Sequence, residues 1–362
     1  MDHLVSVLIP HYDRAALLAK TLQSLVNQRY SNWEALVVDD GSATEIRDEV
    51  QQITGRDSRV RLLHRTAEPK GPSKCRNLAL ENSRGEFVVF LDSDDLLAPW
   101  CLEDRVRQLS AHPQTDFAVF PAMVFRSQPG DQNVLWNNLD SNLADVDRFL
   151  RGTPPWCIAS TIWRIEALRR IGGLNERLRY GEDAELHLRA LVAGLAGRHV
   201  SNALPDVFIR RDETKRFTNV ISDELLAAKR NYIGEGFQLL RSGHGNPEQV
   251  VAWERRYFEE LEFLIYNVND NGLSIQQLLA DWVNNYRPSA FTRWLFGTYG
   301  AIGRLTRRRA YLVLRVFRRV VLGLMPTRFH APAEDRGFET ASLPPEQFET
   351  LQERLGKSQP RS

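Results

Sequence analysis

The chain has 362 residues, 43% hydrophobic and 26% charged, with a formal net charge of +1. That balance suits a globular protein with a sizeable core and gives no overall bias toward nucleic acid. Three widely spaced cysteines, Cys75, Cys101 and Cys157, offer no metal-ligand spacing and no even-numbered disulfide set, so a reducing, cytoplasmic setting is expected.

The N-terminus carries an acid at position two and enters an apolar run at once, unlike a secretory signal. No run of apolar residues reaches the length of a membrane span. Strands are expected at 5–9, 35–38, 60–63 and 87–91, alternating with helices at 15–26, 45–53 and 73–80. Strands that alternate with helices imply right-handed crossovers and a mostly parallel sheet covered on both faces. Ligands of such sheets bind at the carboxyl ends of the strands. Further along, 117–120 and 158–163 read as strands and 127–142 as a long polar loop. Helices are expected at 181–193 and 225–240, with a helical appendage over 248–285. The polar, Pro-rich stretch 331–362 is expected to be loosely ordered. The division expected is 1–220, 221–330 and 331–362.

Three strand ends carry polar clusters: Pro10-His11-Tyr12, Asp39-Asp40-Gly41-Ser42 and Asp92-Ser93-Asp94-Asp95. Turn chemistry accounts for any one of them; three at one sheet edge point to a ligand. Carboxylates crowded at a buried strand end repel one another unless a cation lies between them. Mg²⁺ or Mn²⁺ fits oxygen ligands of this kind and commonly bridges to phosphate. The competing reading is that Asp94 or Asp95 caps a helix over 100–109. Lys70-Gly71-Pro72-Ser73-Lys74-Cys75-Arg76 is a glycine turn running into a helix with early cations, a place for anions. Glu182, Asp183 and Glu185 open another helix; they favour the helix dipole, and one of them is a candidate general base.

The ordered set resembles the family 2 glycosyltransferases of the GT-A fold. The resemblance runs from Val5–Arg14 through Val37–Ser42, Gly71–Asn77 and Gly85–Asp95 to Gly172–Glu176 and Gly181–Leu186. It implies a Rossmann-like α/β domain and inverting transfer of a sugar from a nucleotide diphosphate, with UDP the expected carrier, to an acceptor hydroxyl. Pro10 and Tyr12 would line the base pocket, Asp39 would bond the base with Asp40 beside it, and Arg76 would sit near base or ribose. Asp92 and Ser93 would also face the nucleotide. Asp92 and Asp94 would hold Mn²⁺ or Mg²⁺, and Asp183 would be the catalytic base. Relatives often carry Tyr-Arg-x-His where this chain has Ile209-Arg210-Arg211-Asp212, which puts phosphate contacts from Arg210 and Arg211 in doubt. Glu182 is a further candidate for the acceptor or phosphates. Trp156 is a candidate to stack on an acceptor sugar, with a core role as the alternative.

Positions 287–330 hold ten arginines and no acid, leaving 37 basic and 46 acidic side chains elsewhere. On a helical wheel Arg304, Arg307, Arg308, Arg315, Arg318 and Arg319 share one arc opposite a broad apolar face, a pattern suited to an anionic membrane surface or to packing on the protein's own appendage. The expected partners are thus a nucleotide-sugar donor, a saccharide or lipid-linked acceptor and the inner face of a membrane, with no nucleic acid. A nucleotidyltransferase is the alternative enzyme, although the first strand is followed by no glycine-rich loop. A non-catalytic nucleotide-binding scaffold is the alternative outside enzymes.

Overall fold

Four apolar runs make the parallel half of a seven-stranded sheet. In the computed structural model β1 (Val5–His11) lies between β2 (Trp33–Asp39) and β4 (Phe87–Phe90), with β3 (Val60–His64) outside β2, all parallel. The described residues are 3–136, 139–141, 143–211, 222–250, 290–306 and 341–356, with scattered positions between 252 and 323. Val5, Val7 and Ile9 of β1 pack with Leu18, Leu22 and Leu25 of α1 (Ala15–Val26) and Val50 and Ile53 of α2 (Thr44–Thr54). Leu8, Leu36 and Val38 have the opposite phase and are as fully buried, so both sheet faces are covered. Each such side chain contributes about 1.5–3 kcal/mol. α3 (Pro72–Glu81) packs against β1 and β2.

Past β4 the sheet continues through an antiparallel strand. The short β5 (Leu96–Leu97) and α4 (Cys101–Ala111) follow the acidic turn, then β6 (Phe117–Val119) and β7 (Ala122–Phe125). β8 (Thr161–Arg164) is antiparallel to both β4 and β6, and β9 (Gly197–His199) closes the edge. The strand expected at 158–163 therefore starts later, because 158–160 form a 3-10 turn. β5, β7 and β10 (Val207–Arg210) form a separate three-stranded sheet, absent from the sequence reading. Buried Arg105 of α4 ties the sheets together: it donates to both Asp206 oxygens at 2.8 and 2.7 Å and to the Thr161 carbonyl at 3.1 Å.

The chain divides differently from the expected 1–220, 221–330 and 331–362. One unit holds Met1–Asp145, Pro154–Thr214 and Gly337–Ser362; the other holds Val146–Thr153 and Lys215–Arg336. α5 (Asp145–Arg151) starts at the boundary, with all but Asp145 in the second unit, and α6 (Ile165–Arg170) and α7 (Glu182–Val192) complete the α/β layers of the first. In the second, α8 (Asp223–Leu239) is capped by the Ser222 hydroxyl, which accepts from Leu225 N–H at 3.1 Å. The Trp253 indole lies on Gly236, where any Cβ would come within 2.1 Å of the ring, and donates to the Ile233 carbonyl. Phe258 packs on Phe296 and Tyr299 of α9 (Ala290–Thr306).

The described part of the C-terminal stretch, 341–356, is ordered where its polar composition suggests a loose tail. Within it α10 (Pro345–Gly356) belongs to the first unit, with Leu343, Phe348, Leu351 and Leu355 packed against Trp100, Met123, Phe125 and Phe208. Proline opens the helix, Gly356 ends it, and Ala341 bridges to Leu135. The Arg354 guanidinium stacks 4.1 Å from the Trp100 ring. Residues 331–340 and 357–362 lie outside the described residues.

Candidate active site

The parallel strands β1, β2 and β4 end at one edge, and the acids of the sequence motifs gather there. Asp92, Asp94 and Asp95 lie on the turn after β4, with one oxygen from each within 4.8 Å of the others. Ser93 is buried between them. These acids do not cap α4, whose N-cap is Trp100 with no side-chain cap bond. Each carboxylate has a cationic or N–H partner. Arg76 Nη2 donates to Asp92 at 2.5 Å, Arg14 Nη1 to Asp94 at 2.7 Å, and the Arg210 N–H to Asp95 at 2.9 Å. Three crowded hard oxygen donors at a strand end fit Mg²⁺ or Mn²⁺, with Asp92 and Asp94 the more open pair.

Arg76 joins the acidic turn to the start of α7. It is 3% exposed and also donates Nη1 to Glu182 at 3.2 Å. Gly181 opens α7 in the left-handed region (φ 69°), which turns Glu182 and Asp183 toward the strand edge. Gly181 has no side chain to cap the helix, and the Asp183 carboxylate accepts the Ala184 N–H of the first turn at 2.8 Å. The Asp183 carboxyl is pushed up to about 6, first by removal from water and then by Glu182 beside it, with Arg76 opposing. A bracket fixes this arrangement: Asn77 on α3 donates to the Leu174 carbonyl and accepts from Leu174 N–H, both at 2.9 Å.

The other candidates fall into two groups. Tyr12 is half-exposed, with the Lys70 ammonium 4.3 Å from its ring centre, and Pro10 is half-buried at the same edge. Asp39 is enclosed: its carboxylate accepts both the N–H and the hydroxyl of Ser42 and lies 3.8 Å from His64 Nδ1. Asp40 is committed to the neighbouring loop, accepting Gly71 N–H at 2.7 Å and pairing with Arg65. His11, beside Asp39, is buried, and burial pushes its imidazole pKa down.

Three further candidates are held in packed or paired positions. Arg76, expected near base or ribose, is spent on Asp92 and Glu182 because its buried guanidinium requires carboxylate partners. Arg210, a candidate for phosphate, is buried; its Nε donates to the Asp94 carbonyl at 2.9 Å and its guanidinium lies 4.4 Å from the Phe125 ring. Trp156 is 1% exposed and packed on Phe117, His187 and His199, so it offers no open face to a sugar. Arg211 is half-buried, with its N–H on the Phe125 carbonyl at 2.8 Å. The sequence reading missed Arg14, which no spacing rule joins to a turn eighty residues away.

A family model described as glycosyl transferase family 2 matches residues 6–167, and one described as glycosyl transferase family group 2 matches 87–329. The chain belongs to the family 2 glycosyltransferases. An uncharacterized glycosyltransferase of Rickettsia bellii is 30% identical over 213 residues, 59% of this chain and 30% of the relative. The UDP-Glc:alpha-D-GlcNAc-diphosphoundecaprenol beta-1,3-glucosyltransferase WfgD of Escherichia coli is 40% identical over 110 residues, 30% of this chain and 41% of the relative. The chain thus spans less than half the length of these two curated relatives. The crystal structure of S. aureus TarS 1-349 in complex with UDP-GlcNAc superposes with a TM-score of 0.63 at 19% identity, over 88% of this chain and 92% of that one. That likeness shows the shared GT-A fold.

Proposed function

We propose that this glycosyltransferase moves a sugar from a UDP-sugar to an acceptor hydroxyl in polysaccharide or glycoconjugate assembly, with inversion at the anomeric carbon. The observation that carries the reading is Arg76 bonded to both Asp92 and Glu182, which sets a carboxylate poised for proton transfer beside the acidic turn. Asp183, its pKa raised to about 6, takes the proton of the acceptor hydroxyl. The acceptor oxygen bonds to the anomeric carbon as the bond from that carbon to the diphosphate oxygen breaks. Asp92 and Asp94 would hold Mn²⁺ or Mg²⁺, which supplies charge neutralisation to the departing diphosphate. Tyr12 and Pro10 wall the base and Asp39 accepts from it.

The similarity to a glucosyltransferase named for a diphosphoundecaprenol-linked acceptor supports a lipid-linked acceptor here. The arginine-rich stretch 287–330 supports placement on an anionic membrane, at the cytoplasmic face. Its wheel positions lie mostly outside the described residues, but Trp294, Val316 and Val320 are exposed. No described helix is long and apolar enough to cross a membrane. A turnover assay reading UDP release from a panel of UDP-sugars tests the function. Asp183→Asn should reduce turnover by roughly 10²-fold or more while UDP still binds. Wild-type turnover in that variant would remove Asp183 from the role.

A further inference from the structure

Resting on the reading of Asp92 and Asp94 as cation ligands, we propose that Arg14 is a placeholder: it occupies Asp94 until a divalent cation arrives, then turns to bind the donor's diphosphate. The two acids are neutralised unequally. Arg76 is locked, its side chain 4% exposed and its donors divided between Asp92 and Glu182. The Arg14 side chain is 37% exposed, and Asp94 is its one ion-pair partner among the described residues. Its backbone, by contrast, is held. The preceding Asp13 donates its N–H to the Ser42 hydroxyl and accepts Ala43 N–H on its carboxylate, each at 2.9 Å, and the Arg14 carbonyl accepts the first N–H groups of α1. Only the side chain is free to swing.

A guanidinium on Asp94 Oδ2 and a dication on the same carboxylate repel each other, so the cation must displace the more loosely held arginine. The displaced group stays at the strand edge, where a cation-bridged diphosphate offers paired oxygens that match its planar fork. Arg14 therefore opposes the cation alone and favours the cation together with the nucleotide. By linkage, each ligand then strengthens the other.

Titrations of the full chain with MnCl2, with and without UDP, test this on wild type, Arg14→Gln and Arg14→Lys. Loss of a partly exposed ion pair of about 1 kcal/mol should tighten Mn²⁺ binding in Arg14→Gln by roughly fivefold. In saturating Mn²⁺ the same variant should bind UDP several-fold more weakly, and Arg14→Lys should lie between. Mn²⁺ affinity in Arg14→Gln equal to or weaker than wild type, at an unchanged melting temperature, overturns the placeholder role alone. UDP affinity unchanged in Arg14→Gln does the same. Should Arg14→Gln not fold, Arg14→Lys decides by the same two signs. Absence of Mn²⁺ binding in wild type overturns both the placeholder role and the cation site beneath it.

Discussion

Replacing Arg76 by Met keeps the length of the apolar stem and removes the charge that joins two elements. The cost follows from the exposure of its partners. The Asp92 side chain is 42% exposed and can regain water, so its share is that of a surface pair, about 0.2–1 kcal/mol. Glu182 is 16% exposed, and leaving it without its donor costs about 1–3 kcal/mol. The sum, about 1–4 kcal/mol, corresponds to a fall in melting temperature of roughly 2–16 °C for a unit of this size. Function gives a sharper readout. Arg76 lowers the Asp183 pKa, so its loss lets that pKa rise above about 6. A general base acts when deprotonated. Wild-type turnover should therefore fall as pH drops through about 6, and Arg76→Met should move that limb to higher pH. A pH–rate profile and a thermal melt of the same preparation measure both. An unchanged limb in a variant that melts within about 2 °C of wild type would refute the coupling.

Truncation after residue 336 removes α10 and uncovers Trp100, Phe125 and Phe208; the product should aggregate or melt well below wild type, and a soluble truncate with wild-type stability would contradict the packing. Trp156→Ala should cost about 3–5 kcal/mol as a core deletion, while Trp156→Phe keeps acceptor KM; a selective rise in acceptor KM for Trp156→Phe would restore a sugar contact. The full chain should sediment with vesicles containing anionic lipid, less so in high salt, and changing Arg307, Arg308 and Arg309 to Gln should weaken this. Indifference of the full chain to such vesicles would assign that segment to the protein itself.

The parallel half of the sheet was legible because its strands are unbroken apolar runs buried on both faces, and the acids after β4 stood out against that run. α7 announced itself by Gly181 followed by three acids. Other features were hidden for specific reasons. β5 has two residues and no period to read; pairing with β10 makes it a strand. α10 carries Phe348, Leu351 and Leu355 at helical spacing after Pro344-Pro345, a signal outweighed by polar neighbours, and its partners Trp100, Met123, Phe125 and Phe208 lie far away in sequence. Arg76 and Arg14 sat in recognised motifs, yet their partners follow from the fold alone: each finds a carboxylate across the strand edge, at separations of 16 and 80 residues. Trp156 resolved into the core because Phe117, His187 and His199 surround it.

The central claim is that the Asp92–Asp94 turn binds a nucleotide diphosphate through a divalent cation. Melting curves with UDP in Mn²⁺ and in EDTA, on wild type and Asp94→Ala, address it most directly, since ligand binding to the native state raises stability by mass action. UDP at about a hundred times its Kd should stabilise wild type by about 2.7 kcal/mol in Mn²⁺ and much less in EDTA, and Asp94→Ala should erase the difference. Equal stabilisation of wild type by UDP in Mn²⁺ and in EDTA would contradict the account.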